Sequence, residues 1–148
     1  SRLEPVEVSD HPLPGRISGR GVLLGHFGAG REGLTVAVAH LSLGAQSRRM
    51  QLDFIAELLQ DFPNAVLMGD FNCVADCPEM GNLFRKTRLQ PPECAVHTFP
   101  SWKPQRAIDH ILVSDNLRCE GLRAVPAAYS DHLALSLNLD VPEAALQR

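Results

Sequence analysis

The chain has 148 residues, 45% of them hydrophobic and 21% charged, with a formal net charge of -3. That suits one domain with a real core and excludes wholesale disorder. The acid balance, the 5% aromatic content and the absence of any apolar run near the roughly 18 residues of a membrane span argue against three classes. These are a general basic footprint for nucleic acid, a base-stacking platform and a spanning segment.

The first segment, Leu3 to Gly15, alternates weakly and ends in the breaker run HPLPG; its Glu4, Glu7 and Asp10 are unlike a signal peptide. A cytoplasmic location is the expectation. Gly21 to Phe27 reads as a strand, Gly28 to Gly33 as a hairpin loop, and Leu34 to Leu41 (LTVAVAHL) as a second strand. Leu34, Val36, Val38 and His40 share one pleat face of it, opposite Thr35, Ala37 and Ala39. From Gln46 to Phe62 the period lengthens: Met50, Phe54, Ile55, Leu58, Leu59 and Phe62 form the apolar stripe of a helix whose wet side includes Arg48, Arg49 and Gln51. Pro63-Asn64 ends it, and Ala65 to Met68 forms a short apolar strand.

A second helix is expected from Glu79 to Leu89, then a proline-rich ordered loop from Gln90 to Arg106. Strands follow at Ala107 to Val113 and Leu133 to Leu139, with a short one at Leu122 to Pro126. Strands mixed with covering helices make this an α/β chain. Cys73, Cys77, Cys94 and Cys119 have neither disulfide-scaffold density nor zinc-ribbon spacing and read as free buried thiols.

Polar residues gather where apolar strands end: His40, Asp70, Asn72, Asp109, His110, Asp131 and His132. Each has a bland reading. A strand-end histidine is often a satisfied one, and Asp70 and Asn72 in GDFN can simply close a turn. Asp109 resists it, because in AIDHILV an acid stands where an apolar residue should pack. A buried carboxylate is costly without a histidine, arginine or metal beside it. Together the clusters point to one pocket above a sheet. Asp70, Asn72 and Asp131 offer oxygen ligands to a hard cation, Mg2+ or Mn2+. An Asp–His pair can take a proton from water, and an amide and a second histidine can hold phosphoryl oxygens. The composite is metal-assisted phosphate-ester hydrolysis.

HLSLG at His40–Gly44, RRMQL at Arg48–Leu52, GDFN at Gly69–Asn72, TFPSWKPQRAIDHILVS at Thr98–Ser114 and SDHLAL at Ser130–Leu135 occur in that order. In them the chain resembles the later motifs of the endonuclease/exonuclease/phosphatase superfamily, from about Pro12 to Val141. The resemblance implies part of a DNase I-like α/β sandwich: two packed mixed β-sheets flanked by helices. It implies roles as well. His132 activates or orients the water, Asp109 pairs with it, Asp70 lies near the nucleophile or leaving group, and Asn72 grips the scissile phosphate. Asp131 becomes a metal ligand, His40 a phosphate or leaving-group histidine, and Trp102 and Arg106 substrate-edge residues. The substrate would be a phosphate ester, with nucleic acid among the candidates.

One departure matters. Superfamily members begin with strands that carry an asparagine and a metal-binding glutamate, and Glu4, Glu7 and Glu32 do not fit that motif. The expectation is therefore a single partial domain lacking the N-terminal portion. Its apolar sheet face would be exposed or covered by self-association, and it could be an inactive fragment or a non-catalytic binding module.

Overall fold

The computed structural model describes residues 3–16, 18–91, 93–126 and 129–147. Six strands form the main sheet in the order β1-β2-β3-β4-β6-β5: β1 (Glu7–Pro12), β2 (Gly21–Phe27), β3 (Leu34–His40), β4 (Ala65–Asp70), β5 (Leu89–Gln90) and β6 (Asp109–Ser114). Strands β3 and β4 are parallel and the other pairs antiparallel. The parallel pair needs a crossover, which helix α1 (Ala45–Leu59) provides. A second helix, α2 (Met80–Lys86), packs beside it. Strands β7 (Arg118–Val125) and β8 (Ala134–Asp140) pair as a separate two-stranded ribbon. The architecture is the mixed α/β arrangement expected.

The two faces of the sheet differ. Val22, Leu24, Ala37, Ala39, Leu67 and Leu112 meet Leu52, Ile55, Ala56 and Leu59 of α1 and Met80 and Leu83 of α2 in the larger core. Each leucine buried this way contributes about 1.5–3 kcal/mol of transfer free energy. On the opposite face, Val66, Met68, Ile111 and Val113 pack against Leu137 and Leu139 of the ribbon. The register carries that face onward through Val38 and Leu23 and through Val36, Gly25 and Val8. The ribbon stops short of these strands: Val8, Leu23 and Val38 are 58%, 49% and 44% exposed.

Several local expectations are corrected. Met50 is exposed, whereas Gln51 is fully buried. Gln51 accepts from the Ser42 backbone N–H and donates to the Ser42 hydroxyl and the Pro14 carbonyl, so it faces the core as a polar bracket. Helix α2 ends at Lys86 rather than Leu89. Thr87 turns extended there, and Leu89 pairs with Ser114 across the sheet. The ribbon strand β7 begins at Arg118, earlier than expected. All four cysteines are free, but only Cys73 is buried; Cys94 and Cys119 are exposed. Pro92 of the proline-rich loop lies outside the described residues.

Candidate active site

Register builds the site. His40 at the end of β3 lies opposite Asp70 at the end of β4, and Asp70 lies opposite Asp109 at the start of β6. Three polar side chains thus stand in one row across the sheet, on the rim where the apolar strands stop.

Gly69 makes that row attainable. It adopts φ +138, and a Cβ there would sit 1.9 Å from the Ala39 carbonyl oxygen. Only glycine allows β4 to approach β3 this closely. Beyond it the chain turns: the Asn72 backbone N–H donates to Asp70 Oδ1 at 2.8 Å, and Asn72 takes φ +53. That left-handed conformation suits asparagine among the non-glycine residues. Phe71 between them is fully buried and meets the His110 ring edge-on at 5.1 Å. The turn reading of GDFN therefore holds. One carboxylate oxygen of Asp70 closes the turn and the other faces the site.

That second oxygen, Asp70 Oδ2, lies 3.4 Å from His40 Nε2 and 3.9 Å from His132 Nε2. His132 Nδ1 is 2.7 Å from Asp109 Oδ2, which also accepts the Thr98 hydroxyl. With a carboxylate at Nδ1, that nitrogen carries the proton and Nε2 keeps its lone pair. Burial works against a charge on His132, but the hydrogen bond and negative charge of Asp109, with Asp70 and Asp131 behind them, outweigh it. The imidazole pKa is therefore held above its ordinary value. The histidine's backbone is fixed from outside the sheet: the Leu133 N–H donates to the Thr98 carbonyl, and the Ser101 N–H to the Asp131 carbonyl. The Phe99 ring meets the imidazole at 4.8 Å between centroids, tilted by 45°.

An open cavity of about 580 Å³ is lined by these groups: His40, Asp70, Asn72, Asp109, Asp131 and His132 among them, with Arg106 and Phe99 on the loop side and Arg20 on the other. Seven of the eight expected site residues meet here. Trp102 is 76% exposed and does not line the cavity. Asp131 does line it, as an exposed residue. His110 is a structural histidine: it is buried against the Cys73 carbonyl, and that burial pushes its pKa down. Thr98, Phe99 and Arg20 were not anticipated. Thr98 and Phe99 lie in the TFPSWKPQR motif, and Arg20 immediately precedes β2, so position alone could have flagged all three.

Asp70, Asp109 and His132 each offer one ligand atom within 4.8 Å of the others. Asp109 Oδ2 already serves His132 and Thr98, whereas Asp70 Oδ2 faces His40 and His132 at the longer distances of 3.4 and 3.9 Å. The Asn72 amide nitrogen donates to the Leu41 carbonyl at 2.8 Å, while no group among the described residues donates to its Oδ1. Asn72 and Asp131, the other oxygen donors expected from the sequence, line the same cavity but are not in that three-residue group.

A family model described as the Endonuclease/Exonuclease/phosphatase family matches residues 1–132. Among solved structures, an endonuclease/exonuclease/phosphatase family protein from Bacteroides thetaiotaomicron aligns with TM-score 0.76 at 20% identity, over 92% of this chain and 65% of that one. A mannosyl-6-phosphatase from the same organism aligns with TM-score 0.75 at 19% identity, over 93% and 67%. A functionally unknown conserved protein from Enterococcus faecalis aligns with TM-score 0.75 at 19% identity, over 93% and 66%. The chain thus spans about two thirds of the length of these neighbours. No curated protein matches it.

Proposed function

The chain belongs to the endonuclease/exonuclease/phosphatase family, and from that premise we propose that it hydrolyses a phosphodiester or phosphomonoester with the help of a divalent cation. The observation that carries this reading is the 2.7 Å Asp109–His132 pair opening onto the same cavity as Asp70 and Asn72.

In this reading Asp109 holds the His132 tautomer, so that Nε2 faces the cavity with a lone pair free to accept a proton from an entering water. The water's oxygen bonds to phosphorus as its proton passes to the imidazole, the ester P–O bond breaks and the leaving oxygen is protonated to the free alcohol, and Asp109 stabilises the imidazolium so formed. Asn72 is held rigid by its bond to the Leu41 carbonyl and orients the phosphoryl group. His40, beside Asp70, stands on the leaving-group side as hydrogen-bond donor to the developing charge. Arg106 borders the same cavity and contributes positive charge at the substrate edge. Asp70, Asn72 and Asp131 would hold Mg2+ or Mn2+, and the cation, when bound, neutralises charge on the phosphoryl oxygens.

The neighbour's printed name, a mannosyl-6-phosphatase, keeps phosphomonoesters in the substrate range beside nucleic acid. A non-catalytic binding module is the second reading. It is favoured by the open apolar face at Val8, Leu23 and Val38, through which copies of the chain would associate. The deciding experiment is a phosphoester panel, mono- and diesters, with Mg2+, with Mn2+ and with chelator. Cation-dependent turnover of at least one ester is expected. No turnover of any ester would leave the binding module as the better account.

A further inference from the structure

Strand β5 stops after Leu89–Gln90 because Pro91 follows and has no N–H to continue the ladder with β6. On the ribbon, β7 loses its register between Glu120 and Arg123, where Gly121 takes φ +70. Bulges of this kind turn a strand aside and are over-represented beside active sites. Pro91 and Gly121 both line a cavity of about 420 Å³, into which the second core opens through Ile111, Val113, Leu117 and Leu137. It lies at the Ser114 end of β6, roughly 17 Å along the strand from Asp109. It is separate from the cavity around His132, with which it shares no lining residue.

The rim carries one sign of charge. Glu93, Asp115 and Glu120 line the cavity, and among the described residues no lysine, arginine or histidine does. Asp115 is answered by Arg88 at 2.7 Å. Glu93 and Glu120 have no ion pair among the described residues, and neither has Arg118, which borders the adjoining recess with them. These acids do not converge on a bare metal ion. Among the described residues, carboxylate, thiol and imidazole ligands gather in a three within 4.8 Å only at Asp70, Asp109 and His132. What the acids surround is an apolar slot of the volume that takes a small organic molecule, with a few polar groups at its mouth. An anion is repelled there, and a neutral molecule leaves both glutamates unanswered. A hydrophobic cation satisfies floor and rim together.

We propose that this cavity binds a small hydrophobic cation, an aryl- or alkylammonium, whose apolar body lies on Ile111 and Leu137 and whose ammonium is held by Glu93 and Glu120. The site stands apart from the phosphoesterase reading. Cys94 and Cys119 also line it and are free and exposed, so their reactivity reports on it. The test titrates naphthylmethylammonium into the wild-type chain by calorimetry, with naphthylmethanol and naphthylacetate as neutral and anionic probes of the same body. Iodoacetamide labelling of each cysteine, read by mass spectrometry, then locates the bound probe. The cation is expected to bind saturably, about tenfold more tightly than the alcohol through its two ion pairs, with the carboxylate weakest. It should slow labelling of Cys94 and Cys119 and leave that of Cys77, which packs on the helix side of the sheet, unchanged. Glu93 and Glu120 are both exposed, so Glu93→Gln/Glu120→Gln leaves the core untouched. In that variant the cation should fall to the affinity of the alcohol, while the alcohol binds as before. Naphthylacetate binding as tightly as the cation, saturable binding by no probe, or unchanged labelling of Cys94 and Cys119 at saturation would each overturn the proposal. So would a double variant that keeps its full affinity for the cation.

Discussion

Gly69→Ala tests whether the site's geometry is built by the close approach of β3 and β4. Two costs add. The new Cβ would lie 1.9 Å from the Ala39 carbonyl oxygen, 3.0 Å from its carbon and 3.2 Å from the Ala39 nitrogen. All three atoms are backbone, so no rotamer change relieves the clash, and overpacking of this kind costs about 1–3 kcal/mol. The backbone at φ +138 is open to glycine and strained for alanine, a further cost of about 1–3 kcal/mol. A total near 4 kcal/mol is a large part of the about 5–15 kcal/mol that holds a domain together. Gly30→Ala is the control: it has φ +63 with nothing within 4 Å of the added carbon, so only the backbone cost of about 1–2 kcal/mol applies. Equilibrium urea unfolding of both variants, at unchanged m, measures the difference. A Gly69→Ala loss no larger than that of Gly30→Ala would refute the close-approach argument.

Asp109→Asn in the cation-free protein should move the His132 titration, followed by NMR, to lower pH, since Asp109 is the strongest influence holding that pKa up. The sign follows from the raised folded pKa. Stability from the pair is full below the ordinary histidine value of about 6.5 and is lost as pH rises through the folded value. An unmoved titration would mean the pair is not an ion pair. Arg48→Met strands the Glu79 carboxylate, whose pKa is held down by its own backbone N–H, and by Arg48 and Cys77, against the opposing effect of burial. Both side chains of the pair are 11% exposed, and a loss of about 3 kcal/mol is expected, partly recovered in Arg48→Met/Glu79→Met. Equal stability of wild type and single variant would show the clamp to be idle. Leu23→Ser with Val38→Ser should reduce self-association in sedimentation experiments while costing little stability. Unchanged association would place any contact elsewhere.

Much of the site was legible because its residues violate the rule of the element that carries them. Asp109 opens an otherwise apolar strand, and Asp70 and Asn72 end another, so polar exceptions stand out against a clean period. The row His40–Asp70–Asp109 is a matter of register, which follows once the strands are found in the right order. The failures share a cause too. Gln51 and Met50 exchange places because the Ser42 backbone needs a buried acceptor and the Ser42 hydroxyl and Pro14 carbonyl need a donor. Such loop requirements are invisible to periodicity. Leu89 left the helical stripe because its pairing with Ser114 lies 25 residues downstream. Trp102 looked like a site residue by motif, but on its loop it is turned to solvent. Arg20 carried no signal in composition or period; its place immediately before β2 was the one available cue, and its contacts to the His40 and Leu41 carbonyls appear only in the fold.

The central claim is that His132, poised by Asp109, activates water for attack on a phosphate ester. It is tested most directly by the rate of Mg2+-dependent hydrolysis of a generic phosphodiester by His132→Ala beside the wild-type chain, with the fold of both checked by circular dichroism. Loss of a positioned proton acceptor lowers kcat by about 10²–10⁴-fold, and the account predicts a drop of that size in a folded protein. Wild-type turnover in folded His132→Ala would contradict it.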